Sequence, residues 1–334
     1  MKIKTSKTVI IFLISEFAVL IALILLILNA DKSSIKVKVL VKPELEFGDV
    51  CFSFNEGLAV VTDKEGKFGY VDKYGKFAVP CVYCSARNFS EGLAAVAKDN
   101  GSLGEWGFID TSGNTIIDFI YDYAYNFSEG LAMVEKNGKW GFIDTSGQIV
   151  TPCIYAALSD FNEGLACARR IGDDMCGYID KTGKVVIDFI YYYRTDGNYF
   201  SDGLAAVMKD NKWGFIDKTG NVAVPCIYEY AVGFYNGLAA VQNEDYKWGL
   251  IDKTGNVVEP FIHDACEFGD MWSPYAYAPR ELTAEQRNGK WGFADKYGKT
   301  AVPFIYDNAE DFSEGLAWVQ KDGKWGILEA ENGI

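Results

Sequence analysis

Histidine is almost missing from this sequence: His263 is the single one in 334 residues. Ser-His-Asp catalysis and histidine-ligated metal sites therefore have almost nothing to draw on. Proline is scarce too, 8 residues against 34 glycines, so the glycines punctuate turns and do not mark a disordered Pro/Gly-rich chain. Positive charge is short: 32 basic residues face 46 acidic ones, net −14, with the acids spread along the chain. No basic face is on offer to phosphates, which excludes a nucleic-acid partner. The eight cysteines contain one C-x-x-C, Cys81 to Cys84, and no second pair at zinc-ligand spacing. Cys81, Cys153 and Cys226 each follow a proline at one recurring position and read as small buried hydrophobes. No metal and no cofactor is expected. What the chain does have is apolar material, 49% hydrophobic and 15% aromatic, enough for a sizeable core.

One long hydrophobic run stands at the N-terminus. Lys2, Lys4 and Lys7 precede an apolar stretch from Val9 to Leu28, broken only by Ser15 and Glu16. About 20 residues of helix span a bilayer core of about 30 Å. A cleaved signal has a shorter apolar stretch and a small-x-small site, of which Leu28-Asn29-Ala30 is a weak version. The expected organisation is a basic tail over residues 1–8, a transmembrane signal-anchor helix over 9–30, a linker with a partial repeat over 31–50, and a repeat domain over 51–334. The short tail favours a single-pass protein of the cell membrane with its repeats outside the cytoplasm. Lys32, Lys36, Lys38 and Lys42 on the far flank pull against that orientation.

The rest of the chain repeats. An aromatic-Gly centre recurs with its glycine at 69, 107, 141, 177, 214, 249, 292 and 326, spaced 34 to 43 residues apart. The aromatic is Trp106, Trp140, Trp213, Trp248, Trp291 and Trp325 in six copies, Phe68 in the first, with Cys176 in its place in the fourth. Asp follows the glycine by three and Gly by six in the first seven copies, as in Asp144 and Gly147. Eleven on comes Pro, or Asp118 and Asp188. Fourteen on comes Tyr, or His263; twenty on, in five copies, comes a Phe opening a segment like Phe127-Ser128-Glu129-Gly130-Leu131-Ala132.

These positions predict short strands. Leu-Ala-x-Val and Trp-Gly-Phe-Ile-Asp are apolar runs between turn residues. Asp-x-x-Gly closes a tight turn, the carboxylate bonding nearby amides and the glycine taking a left-handed conformation. A third strand, Val-x-x-Pro, is expected to stop at the proline, which cannot donate to a ladder. The glycine after Trp allows close approach of a neighbouring ring or strand. Each unit is a β-meander that needs its neighbours to complete a core. The expected fold is all-β, a tandem array of about eight such repeats, closed as a propeller-like ring or open as a solenoid, behind one transmembrane helix. The last copy lacks a third strand, and residues 39–54 look like the tail of a unit without its first two, so complementary half-units could close a ring.

This pattern resembles the WG-repeat family over about residues 51–330. The resemblance implies a β-rich repeat array, common on bacterial proteins and usually without assigned activity, and it brings no catalytic residues. Copy four departs at Met175-Cys176, and copy seven lacks the Glu-Gly-Leu-Ala strand start.

The recurrent carboxylates, such as Asp144 and Glu129, occur once per repeat, whereas a glycosidase pair would be singular. One Asp per turn is also thin for calcium. The chain is read as a non-enzyme, and His263 as a stand-in for a structural Tyr. Length varies in two places, between the Phe and the Trp and after the Tyr position of copies four and six. The first holds Trp272, Pro274, Tyr275, Tyr277, Pro279 and Arg280; the second Tyr193, Arg194 and Tyr199 beside the ring-position Tyr191. Either aromatic group could stack on sugars, anchor a protein, or simply fold back as local packing. The expected function is a membrane-anchored, non-catalytic interaction module of the cell envelope with an unknown protein or glycan partner. A structural spacer without a ligand and a lectin-like sugar binder are the alternatives.

Overall fold

A computed structural model describes residues 35–331 except 52, 102–103, 173, 195–197, 264–281 and 296–297. The described residues are all-β: 31 strands in seven antiparallel sheets, with no helix, and no sheet closes into a barrel. No described helix is long and apolar enough to cross a membrane. The expected single-pass anchor and cell-membrane localisation are corrected on that finding; the run over residues 9–30 itself lies outside the described residues.

The strands form because the repeat alternates what faces each side. In the strand Leu93–Lys98, Leu93, Ala95 and Ala97 pack with Phe127, Ala132 and Val134 of the following sheet. Ala94 and Val96 pack with Val60, Tyr70 and Val79 of the preceding one. Both faces are therefore buried, and the core lies between consecutive sheets. Small residues at Leu-Ala-x-Val let the sheets come close, and one ring pair recurs from repeat to repeat. Phe108 meets Phe127 at 4.9 Å, Phe142 meets Phe161 at 4.7 Å and Phe215 meets Phe234 at 4.7 Å. Each fully buried ring contributes roughly 1.5–3 kcal/mol.

Turn chemistry follows the predicted offsets. Asp144 Oδ1 accepts the N–H groups of Ser146 at 2.9 Å and Gln148 at 3.0 Å, and Gly147, at φ +82°, donates its N–H to the Asp144 carbonyl. At the motif glycine the close neighbour is a strand. A Cβ on Gly69 would lie 2.7 Å from both the Cys81 nitrogen and the Val79 oxygen. The third strand does not stop at its proline. It runs Phe77–Tyr83 through Pro80 as the edge of its sheet, with the ladder shifted between Phe68 and Tyr70. An edge strand at a bulge has no use for the missing N–H, so proline is tolerated there.

Glu91-Gly92 and its relatives make two-residue hairpin turns with both residues left-handed, at φ +56° and +80°. A glutamate is an uncommon choice there. Its carboxylate explains it: Glu56, Glu91 and Glu163 each accept the backbone N–H of the equivalent glycine one repeat on, Gly92, Gly130 and Gly203. Asp202 does the same for Gly237 at 2.7 Å.

The chain divides into two compact units, Leu45–Pro279 and a second built from Met1–Glu44 with Arg280–Ile334. The first holds five of the sheets, one of them eight-stranded. In the second, the half-units expected at the two ends combine: Lys36–Leu45 pairs with Lys324–Glu331 in a four-stranded sheet. Around Gly326 stand Val41, Lys42 and Pro43, as Val79, Pro80 and Cys81 stand around Gly69. Copy seven, despite its missing motif, still pairs Leu282 with Asp295 in the usual register.

Candidate functional site

Copy four departs from the repeat in two ways that turn out to be connected. In copy two Trp106 packs against Tyr123 at 5.0 Å, and in copy five Trp213 packs against Tyr230 at 5.5 Å. Copy four has Cys176 where the Trp should be. Three added residues follow its outer strand, Val185–Tyr192, whose last residue pairs with Met208 of the next repeat. That single pair joins two sheets into the eight-stranded one. Tyr193 is thereby held back on its own repeat, donating its N–H to the Asp174 carbonyl at 2.8 Å and packing against the cluster that contains Cys167 and Cys176.

Tyr193 is not an addition to the repeat. It stands sixteen residues after its motif glycine, as Tyr123 and Tyr230 do. What differs is where its chain goes next. Asn198, fully buried at φ +69°, accepts the Arg194 N–H on Oδ1 at 2.7 Å and so ties Arg194 to the residue that precedes Tyr199.

The result is a cavity of about 300 Å³ with Tyr125, Tyr193 and Tyr199 on its walls. Ser159, Asp160, Asn162 and Arg194 supply polar edges, and Met133, Leu158 and Cys167 an apolar floor. Tyr199 is 43% exposed. Burial pushes the Tyr125 and Tyr193 phenols up, so both are neutral donors at neutral pH. A hydrogen bond with Cys176, then burial, raises Cys167, which stays a thiol. The seven described cysteines are all free. Cys81, Cys153 and Cys226 are half-buried, not fully buried, and burial first of all pushes Cys81 up to about 11.

The structure brings Tyr193 and Tyr199 together at this cavity. Trp272, Tyr275, Tyr277 and Arg280 lie outside the described residues. Trp106, Trp213 and Trp325 are buried, Trp140, Trp248 and Trp291 half-buried. His263 ends its outer strand in the Tyr place, paired with Trp248. Sequence reasoning missed Tyr125 and Ser159, which occupy one column of the repeat, eighteen residues after the motif glycine. That column reads Arg87, Tyr125, Ser159, Val232 and Glu310 in the five copies where this segment has constant length. Variation of side chain at constant length was the available signal.

The WG containing repeat profile matches residues 68–101, 106–140, 140–170, 177–213, 213–247 and 291–325, more than half of the sequence. The chain belongs to the WG containing repeat family. The site described above thus sits on successive WG repeats, and copy four, for all its departures, is one of the matched stretches.

No curated protein matches the sequence. Similar solved structures include BamB from Moraxella catarrhalis, at 13% identity over 85% of this chain and 82% of that one, TM-score 0.38. Kluyveromyces lactis Hsv2 is 10% identical over 86% and 98%, TM-score 0.37. A catalytically inactive virginiamycin B lyase from Staphylococcus aureus with quinupristin is 13% identical over 88% and 99%, TM-score 0.31. The expectation that this WG repeat chain is a non-enzyme is withdrawn on that finding, since a lyase stands among the similar structures. A likeness at that TM-score assigns no catalytic residue here.

Proposed function

We propose that this WG repeat protein is an interaction module whose ligand is a glycan bound in the tyrosine cavity. The observation that carries the reading is the composition of that cavity. Three tyrosine rings offer flat apolar faces to the C–H surface of a sugar, and Asp160, Asn162 and Arg194 offer planar polar groups to its hydroxyls. Donors and acceptors are both present: Arg194 only donates, Asp160 only accepts, and Asn162, Ser159 and the phenols do both. A volume of about 300 Å³ is at the small end of ligand sites and suits one or two sugar rings, with the rest of a chain running out into solvent.

The test is titration of the full chain with cellotetraose, N-acetylglucosamine tetramer and mannotetraose, followed calorimetrically. At least one is expected to bind, with Tyr199→Ala and Tyr125→Ala each weakening it about tenfold or more. Binding of none of them, or wild-type binding in both variants, overturns the reading.

A further inference from the structure

Resting on that glycan reading, we infer that Arg87 and Arg169 are positioning residues of the cavity, each covering one face of a tyrosine so that the opposite face is open to a sugar. Arginine is rare here, six of the 32 basic residues, yet Arg87, Arg169 and Arg194 all stand at this one place. The guanidinium of Arg87 lies 4.4 Å from the Tyr125 ring, 5.2 Å from Tyr123 and 5.8 Å from Trp106. Its plane is fixed by two hydrogen bonds, Nε to the Ala124 carbonyl at 2.9 Å and Nη2 to the Tyr123 hydroxyl at 2.7 Å. A lysine could supply the charge but not the plane.

Arg169 repeats the device one wall along. Its guanidinium lies 5.3 Å from the Tyr193 ring, and Nη1 donates to Asp174 at 3.1 Å. The carbonyl of the same Asp174 accepts the Tyr193 N–H, so one residue ties down both members of the stack. Tyr199 has no arginine stacked on it among the described residues. Two rings are set before a ligand arrives, which lowers the ordering cost of binding.

A specificity follows. Three tyrosines around one small space would ordinarily suit a quaternary ammonium group. Here two of the rings already carry a cation on the far face, and like charge across a ring is unfavourable. Asp160 in the wall and Asp174 on Arg169 limit the local positive charge, so an uncharged sugar fits better than a cation.

The experiment compares the full chain with its Arg87→Met, Arg87→Lys and Arg169→Met variants. Near-ultraviolet circular dichroism reads ring geometry without ligand, because Tyr125 stands 5.7 Å and Tyr123 6.0 Å from Trp140. Calorimetry with the tightest of the three oligosaccharides reads binding, and tetramethylammonium is the cationic probe. All three variants should lose affinity about five- to tenfold. Both Arg87 variants should lose the aromatic band while the far-ultraviolet spectrum is kept. Lysine should not rescue Arg87. Wild-type affinity in Arg87→Met, rescue by lysine, an unchanged aromatic band, or millimolar binding of tetramethylammonium would each overturn the inference. Should Arg87 variants not fold, Arg169→Met decides it by affinity. Should the wild type bind no sugar, the glycan reading fails, and the clamp stands or falls on the aromatic band alone.

Discussion

Copies two and four of the repeat start from the same frame and end differently. In copy two the motif Trp106 is buried against Tyr123, and the chain passes directly to the next inner strand, Tyr123–Ser128. In copy four a cysteine replaces the Trp, the outer strand runs one residue further, and Tyr193 packs against the cluster that contains that cysteine. Below this level the two copies agree: Asp110 and Asp180 make the same turn, and the Tyr178 and Phe200 rings meet at 5.0 Å as Phe108 and Phe127 do at 4.9 Å. The comparison shows that a cavity can be opened in a repeat without touching its load of buried rings. One large side chain is removed from the inner edge and a nearby one is rerouted.

The comparison can be broken or sharpened by substitution. The largest effect is expected where the copies agree. Phe127→Ala and Phe200→Ala should each cost about 3–5 kcal/mol, nearly equally, as read by urea unfolding of the full chain. A cost at Phe200 under half that at Phe127 would mean that copy four is packed on different terms. Next comes Cys176→Trp, which restores the copy-two residue. Forcing an indole into filled space should cost about 1–3 kcal/mol and push Tyr193 out, abolishing sugar binding. Retained binding would show that Tyr193 does not depend on the missing Trp.

Acid should act on both copies through their turns. Hydrogen bonds from the Thr254 and Asn256 side chains hold Asp252 down to about 2, and the same kinds of bond lower Asp110 and Asp180. A depressed carboxylate gives stability that is complete above its ordinary value near 3.8 and lost as pH falls through the folded one. Thermal melts should therefore weaken between about pH 4 and pH 2, and Asp252→Ala should flatten that loss; an unaltered pH profile would refute it. The smallest effect is expected at Glu163. Burial pushes it up, but Lys218 and the Gly203 N–H outweigh burial and leave it below the usual range. Glu163→Gln keeps the acceptor for Gly203 and loses the ion pair with Lys218, at 2.9 Å. The cost should stay under about 1 kcal/mol and vanish in high salt.

Much of the fold was legible in the sequence because the repeat states each contact several times. The Asp and Gly offsets describe a turn that recurs almost unchanged from Asp72 to Asp295. The glycine after the aromatic marks a close backbone approach wherever it occurs. Proline misled, because in a strand it signals either an end or an edge, and sequence alone does not say which. The cavity was legible only in half. Tyr193 and Tyr199 stood out through the insertion, but three added residues can be absorbed as loop or as strand, and the pairing of Tyr192 with Met208 decides which. Tyr125 and Ser159 were hidden in copies without the insertion, where only a comparison of columns separates a contact position from a spacer. The glutamate of the hairpin turn read as a turn residue, and its reach to the next repeat depends on spacing between sheets that no single copy encodes.

The sheet that joins Lys36–Leu45 to Lys324–Glu331 also sets an order of events. On the ribosome the first of these strands emerges long before its partner exists, and it carries the exposed edge of a sheet not yet made. Until then Lys36–Leu45 waits with that ladder unpaired while the repeats behind it form. Synthesis of Lys324–Glu331 is the step that gives it a partner. A chain stopped before Lys324 would leave Lys36–Leu45 without its partner, and loss of either strand would expose the same ladder to a protease.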